Sequence, residues 1–136
     1  MPMLEWNESL SINFTEIDDQ HKELITMINV LYDMMISNNN SDQDVLNIIS
    51  DLHTYILEHF GAEVRIMKKY DYPETPAHIN EHKEFIAKVN EVENLCNNGA
   101  ANTSMEILNY LSTWLVQHIN DTDKRLGMFI HSQSAN

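Results

Sequence analysis

Four stretches of this chain repeat apolar residues every three or four positions, and in each stretch the repeat is interrupted on its own apolar stripe by histidine. Ile17, Leu24, Ile28, Leu31 and Met35 share a stripe with His21, and Val45, Ile48, Leu52, Ile56 and Ile66 share one with His59 and Glu63. His78 and His82 run into Phe85, Val89 and Val92, while His118 lies among Leu108, Leu111, Leu115, Ile119 and Leu126. A 3.6-residue period specifies amphipathic helices, and helices with one apolar face must bury it against one another. A polar side chain on that face must then be satisfied inside the core. Together these two constraints leave few folds.

Local signals place the ends of the helices. Asn38-Asn39-Asn40 breaks the first, and Ser41, with Asp44 at the capping-box position, opens the second. Asp71-Tyr72-Pro73 ends the second, because a proline disfavours helix at the residue before it. Thr75-Pro76 reads as N-cap and first-turn proline of the third, and Gly99 stops it. Thr103 with Glu106 forms a capping box for the fourth. The helices are expected at about 18–36, 42–70, 76–97 and 104–131. Short connections between long amphipathic helices give an all-α, up-down-up-down four-helix bundle, with all 136 residues in one domain. An N-terminal arm, about residues 1–15, is expected to tuck Trp6 and Phe14 against it.

Composition narrows the function. Twenty-one acidic against eight basic side chains give a net charge of −13, a surface that repels phosphate backbones and anionic lipid. Nucleic acid and membrane partners are therefore not expected. Hydrophobic residues make up 43% of the chain, too many for a disordered acidic segment. Cys96 is the sole cysteine, so no internal disulfide can form, and its place in an apolar helical pattern reads as an inert buried thiol. The N-terminal sequence lacks a basic region followed by an apolar run, and no stretch approaches the roughly 20 apolar residues of a membrane span. A cytoplasmic location is expected.

A lone histidine on an apolar stripe is ordinarily a core residue with a hydrogen-bond partner. Five imidazoles and two carboxylates in one small core are a different matter: His21, His59, Glu63, His78, His82, His118 and Asp123. A buried ionised carboxylate without a partner costs several kcal/mol. A metal supplies the missing positive charge and accepts all the lone pairs. Spacing supports this, since His59/Glu63 and His78/His82 stand four apart, on one helix face, where two side chains can chelate one centre. His118 and Asp123 stand five apart, so either Asp123 approaches from another azimuth or a π-type turn realigns it.

All seven donors are nitrogen or oxygen, which argues against structural zinc or an iron–sulfur cluster. Seven are too many for one ion and suit two. Two roughly octahedral ions offer about twelve positions. Five imidazoles, two bridging carboxylates and a bridging solvent oxygen leave about one of these open, enough to admit a small neutral ligand.

The segments Asp19-Gln20-His21-Lys22-Glu23-Leu24, His59-Phe60-Gly61-Ala62-Glu63, His78-Ile79-Asn80-Glu81-His82 and Trp114 through Asp123 resemble the hemerythrin family, specifically a stand-alone bacterial hemerythrin. They span the whole chain in family order. The resemblance implies two iron ions per chain joined by an oxo or hydroxo group, and reversible binding of dioxygen for storage or for delivery to an oxygen-consuming enzyme. One iron would be held by His78, His82 and His118, and the other, where dioxygen binds, by His21 and His59. Glu63 and Asp123 would bridge them. The oxygen pocket would be walled by Leu24, Phe60, Trp114, Leu115 and Ile119, residues that also suit ordinary core packing. Many relatives carry a second glutamate after the bridging one, whereas this chain has Val64. His53 and His131 match no ligand position and read as surface or structural residues.

Other functions fit less well. Di-iron oxidases of the ferritin type use Glu-x-x-His motifs, and this sequence has none, so an enzyme is not expected, although peroxide or nitric oxide would fit the same open position. An oxygen sensor normally needs an output domain and here would have to act through a partner protein. Iron storage at two ions per chain would be inefficient.

Overall fold

Each apolar stripe becomes a helix. The computed structural model describes residues 4–37, 42–97 and 104–134. Helix α1 spans Thr15–Ser37, α2 Asp42–Lys69, α3 Thr75–Asn97 and α4 Ser104–Gln117. A six-residue π segment, His118–Asp123, follows α4 and leads into α5, Lys124–Ser134. Gln117 (φ −65°, ψ −42°) and Lys124 (φ −63°, ψ −38°) flank that segment in helical geometry, so the rod continues through it. The single helix expected over 104–131 is thus two helices joined by a π turn. Consecutive helices pack on one another and α4 closes against α1, the cyclic order of an up-down-up-down bundle. None of the described helices is long and apolar enough to cross a membrane.

The α2–α3 connection is built from local chemistry. Asp71 adopts a left-handed conformation (φ 51°), its N–H reaches the Lys68 carbonyl at 3.3 Å and the Tyr72 N–H reaches the Met67 carbonyl at 2.9 Å. This is a Schellman end with an aspartate in the glycine position, and the buried Tyr72 supplies its apolar contact. Thr75 differs from expectation. It is the first helical residue, and its hydroxyl donates to the Tyr72 carbonyl at 2.6 Å instead of capping α3. The capping roles expected for Ser41 and Thr103 and the Gly99 stop fall outside the described residues, as does the side chain of Cys96, whose backbone lies in α3.

Two apolar clusters fill the bundle. The larger holds Leu24, Ile28 and Leu31 of α1, Leu52, Ile56 and Phe60 of α2, Phe85 and Val89 of α3, and Leu111, Leu115 and Ile119 of the last rod. The smaller holds Ile17, Ala62, Ile66, Met67, Tyr72, Leu126 and Ile130. On α1 the clusters lie on either side of His21, on α2 they flank Glu63, and on the last rod they flank Asp123. A layer of polar side chains therefore separates two dry cores. On α2 it is Ile49 that is buried beside Val45 and Leu52, whereas Ile48, expected on the stripe, is turned half outward.

The arm is held more firmly than Trp6 and Phe14 suggest. Leu10 and Ile12 are buried, and Asn29 on α1 exchanges two 2.8 Å hydrogen bonds with the Leu4 backbone. Asp18, in the first turn of α1, accepts from the Ile12 N–H at 2.9 Å and the Ser11 hydroxyl at 2.5 Å. These bonds extend α1 back to Thr15, three residues before its expected start. His131 holds the Asn13 carbonyl at 2.8 Å, and His53 pairs with Glu93 across α2 and α3, so both are structural.

Gly127 sits where the arm crosses α5. A Cβ there would lie 2.6 Å from the Ile12 carbonyl oxygen, whereas at Gly61 the nearest atom would be the Arg65 guanidinium at 3.6 Å. Gly127→Ala should lower stability by about 1–3 kcal/mol through this overlap. Gly61→Ala should raise it by up to about 1 kcal/mol through helix propensity. Thermal melts of the two variants check this, and equal shifts would mean the arm does not press on α5.

Candidate metal centre

Every rod of the bundle contributes to one polar layer: His21 from α1, His59 and Glu63 from α2, His78 and His82 from α3, and His118 and Asp123 from the π segment. All seven are at most 3% exposed. On an ideal α-helix a five-residue step overshoots one turn by about 140°. The wider i→i+5 turn of the π segment reduces that overshoot, and His118 Nε2 and Asp123 Oδ1 stand 3.1 Å apart. Of the two alternatives open for this pair, the π turn is the one the chain adopts.

The seven residues form two groups that share both carboxylates. Glu63 and Asp123 stand with His78, His82 and His118 in one and with His21 and His59 in the other, and within each group the facing atoms lie within 4.8 Å of one another. Each carboxylate divides its oxygens between the groups. Asp123 Oδ2 is 3.0 Å from His21 Nε2, while Oδ1 is 3.0 Å from His78 Nε2. Glu63 Oε1 is 2.9 Å from His59 Nε2, while Oε2 is 3.1 Å from His78 Nε2. Despite these short distances, the Nε2 atoms of His21, His59, His82 and His118, Glu63 Oε1 and both Asp123 oxygens have no hydrogen-bond partner. These atoms gather closely in each group without bonding one another. Buried polar atoms almost always find partners, so such a cluster fits bound cations. Two iron ions suit imidazole nitrogen and carboxylate oxygen in these proportions.

The electrostatics of the chain alone lead to the same conclusion. Burial opposes ionisation of Glu63, yet the surrounding His59, His78 and His82 imidazoles hold its carboxyl well below the usual range. Burial and the Glu63 charge oppose ionisation of Asp123, and His118 and His21 overcome both and hold it low. Burial disfavours the charged form of His78, but Asp123 and Glu63 push it up to about 10. His118 is driven to about 9 in the same way, chiefly by Asp123. Burial wins at His82, which is lowered. Without metal, the core relies on protons for its counter-charge.

A second layer of residues orients the first, and the sequence pattern did not single it out. The His59 Nδ1–H donates to Gln20 Oε1 at 2.6 Å. The His118 Nδ1–H donates to Glu81 Oε1 at 3.0 Å, and the Thr122 hydroxyl lies 2.8 Å from both Glu81 oxygens. Burial opposes ionisation of Glu81, but His118 and Thr122 hold it below its ordinary range. The available signal was position. Gln20 and Glu81 each precede a histidine of the stripe, about 100° around the helix and facing the neighbouring rod. Val64 packs beside the smaller apolar cluster.

Among the expected pocket residues, Leu24, Phe60, Leu115 and Ile119 are buried in the larger cluster and Trp114 packs at its edge. Phe60 stacks on His82 at 3.7 Å and Trp114 on His118 at 4.5 Å. Both rings therefore lie against the three-histidine group.

Comparison with known proteins agrees with this geometry. The family model described as Hemerythrin HHE cation binding domain matches residues 13–130. A bacteriohemerythrin of Pseudomonas paraeruginosa is 32% identical over 123 residues, covering 90% of this chain and 78% of that protein. Myohemerythrin-1 of Phascolopsis gouldii is 30% identical, covering 87% of each chain. A crystal structure of wild-type hemerythrin, 27% identical, superposes with a TM-score of 0.83 and covers 92% of this chain and 95% of that one.

The shifts above fix how stability of the metal-free chain should vary with pH. His78 and His118 are raised, so their contribution is complete below about 6.5 and is lost as pH rises through about 9 to 10. His82, lowered, works against them on a smaller scale. Glu63 and Asp123 are depressed, so theirs is present above about pH 4 and lost on acidification. Metal-free protein should melt highest between about pH 4 and 6.5 and lower on either side. Bound metal needs neutral imidazole, so the loaded protein should gain stability toward neutral pH. Melts of both forms from acid to alkaline pH check this. A metal-free melting temperature that climbs toward pH 9 would contradict it.

Proposed function

The chain belongs to the hemerythrin family, and we propose on that premise that its seven-residue polar layer is the di-iron centre at which it binds dioxygen reversibly. His78, His82 and His118 would hold one iron and His21 and His59 the other, with Glu63 and Asp123 shared between them. The observation that carries this assignment is the division of each carboxylate's oxygens between the two histidine groups, with Asp123 Oδ2 at 3.0 Å from His21 and Oδ1 at 3.0 Å from His78. Members of the family are oxygen-binding proteins and not enzymes. The side of the layer with fewer histidines would take up dioxygen, and the chain would store it or deliver it to an oxygen-consuming enzyme of the cytoplasm. The matched region, 13–130, is one hemerythrin domain that takes in all four bundle rods.

When bound, an iron pair would supply the reversible electron transfer that dioxygen binding needs. The protein's part is to bind, orient and keep dry. Gln20 and Glu81 accept the outer N–H of His59 and His118, which fixes the tautomer and leaves each Nε2 lone pair facing inward. Leu24, Leu115 and Ile119 wall the pocket with hydrocarbon, excluding water that would carry protons to the reduced ligand. Phe60 and Trp114 hold the three-histidine side rigid by stacking on its rings.

Elemental analysis should find close to two iron atoms per chain and little zinc, and an optical spectrum should gain a visible band with oxygen and lose it on deoxygenation. One metal per chain, or a colourless protein under oxygen, would overturn the assignment. The pocket is tested separately. Leu115 is 1% exposed, and Leu115→Ala should admit water and shorten the lifetime of the oxygenated form while iron content stays near two. The lost methylenes should also cost about 2–5 kcal/mol of stability, so the lifetime is measured where the variant is fully helical. An unchanged autoxidation rate in a folded, loaded variant would make Leu115 core packing alone.

A further inference from the structure

The two histidine groups differ in what lies behind them. Behind His59 is a neutral amide, Gln20. Behind His118 is a carboxylate, Glu81, which also takes the Thr122 hydroxyl on both oxygens. His118 and Thr122 are both buried members of the π segment, and Asp123 follows Thr122 directly. One side chain on α3 thus grips two points of the irregular turn from across the helix interface. A recess of about 450 Å³ lined by Glu81, Trp114, Gln117, His118 and Thr122 opens on this contact. Solvent therefore reaches the grip, while the His118 side chain beneath it is only 1% exposed.

We propose that Glu81 is a positioning residue for the metal centre: it holds His118 and the π segment in register and gives the three-histidine iron an anionic outer partner that the other iron lacks. The proposal rests on the di-iron reading above. A π turn has poorer intrinsic geometry than the α-helix around it and persists where other contacts hold it. Here the holding contact lies on α3, outside the turn. A carboxylate on the outer N–H also raises the electron-donating power of the imidazole, which stabilises the more oxidised metal. Gln20 orients His59 without adding charge. The asymmetry in histidine number is accompanied by an asymmetry in outer charge.

The test compares iron-loaded wild type with Glu81→Ala, Glu81→Gln, Thr122→Val and, as a control on the same helix, the exposed Glu84→Ala. Chelator competition should show iron affinity reduced about 10–100-fold in Glu81→Ala, less in Thr122→Val and unchanged in Glu84→Ala. Glu81→Gln keeps an acceptor of the same shape but no charge. It should retain most of its iron while the midpoint potential moves upward, toward the ferrous state. Melting of the metal-free forms separates positioning from general stability. Wild-type affinity and potential in both Glu81 variants would overturn the proposal. So would an affinity loss matched by equal loss of metal-free stability with the potential unchanged, because that marks a purely structural contact. If Glu81→Ala fails to fold, the isosteric Glu81→Gln decides through its potential. A wild-type chain that takes up no iron pair would overturn the di-iron reading itself, before any variant is compared.

Discussion

Two carboxylates shared between two sets of imidazoles organise this molecule. Glu63 and Asp123 are fully buried, and the polar groups that face them among the described residues are histidine nitrogens. An ionised carboxylate in such a place is untenable unless positive charge stands beside it. Everything around the pair follows from that requirement. Four rods must each point at least one imidazole inward, so each apolar stripe is interrupted at the same level of the bundle. The interruption splits the hydrophobic core into two clusters with the polar layer between them. Packing and ligation are therefore one problem. The apolar clusters fix the azimuth of each rod, and that azimuth aims the donors.

The π segment shows where regular structure is insufficient. His21, His59, Glu63, His78 and His82 all reach the layer from ordinary α-helix, two of the rods using a four-residue step. His118 and Asp123 cannot do so at five. The last rod accepts an irregular turn instead, and the contacts that hold it come from outside: Glu81 on the side of α3, and the arm's short 3-10 turn, Glu8–Leu10, on the outer face. Rigidity at the site is imported from neighbouring elements.

The bundle and its seven inward donors are legible in the sequence because both are statements of period. Apolar residues at helical spacing name the buried face, and a polar residue on that face stands out against them. The π turn was foreseen only as one of two alternatives, since a five-residue step says that something must give and not what. The outer partners were invisible to periodicity for a different reason. Gln20 and Glu81 act on histidines of the next rod, and a contact between rods depends on their relative rotation and height, which no single helix encodes. The firmness of the arm was hidden likewise. It depends on Asn29, Asp18 and Gly127, residues whose individual types give no hint that a distant strand of chain lies over them. Phe60 and Trp114 are identifiable as core aromatics, but their stacking on the three-histidine side is a matter of three-dimensional arrangement.

The order of these parts along the chain has a consequence for how the protein is made. His21 and Asp123 lie about a hundred residues apart in sequence, and the arm, made before α1, docks on α5, made after α4. While the chain is still emerging from the ribosome, α1, α2 and α3 can find one another, but neither histidine group then has its second carboxylate. The irregular turn and the bed for the arm arrive together, because the π segment runs directly into α5. The two carboxylates can therefore meet only after the last rod has been made, and a chain cut before Asp123 lacks one of the two anions that the layer is built around.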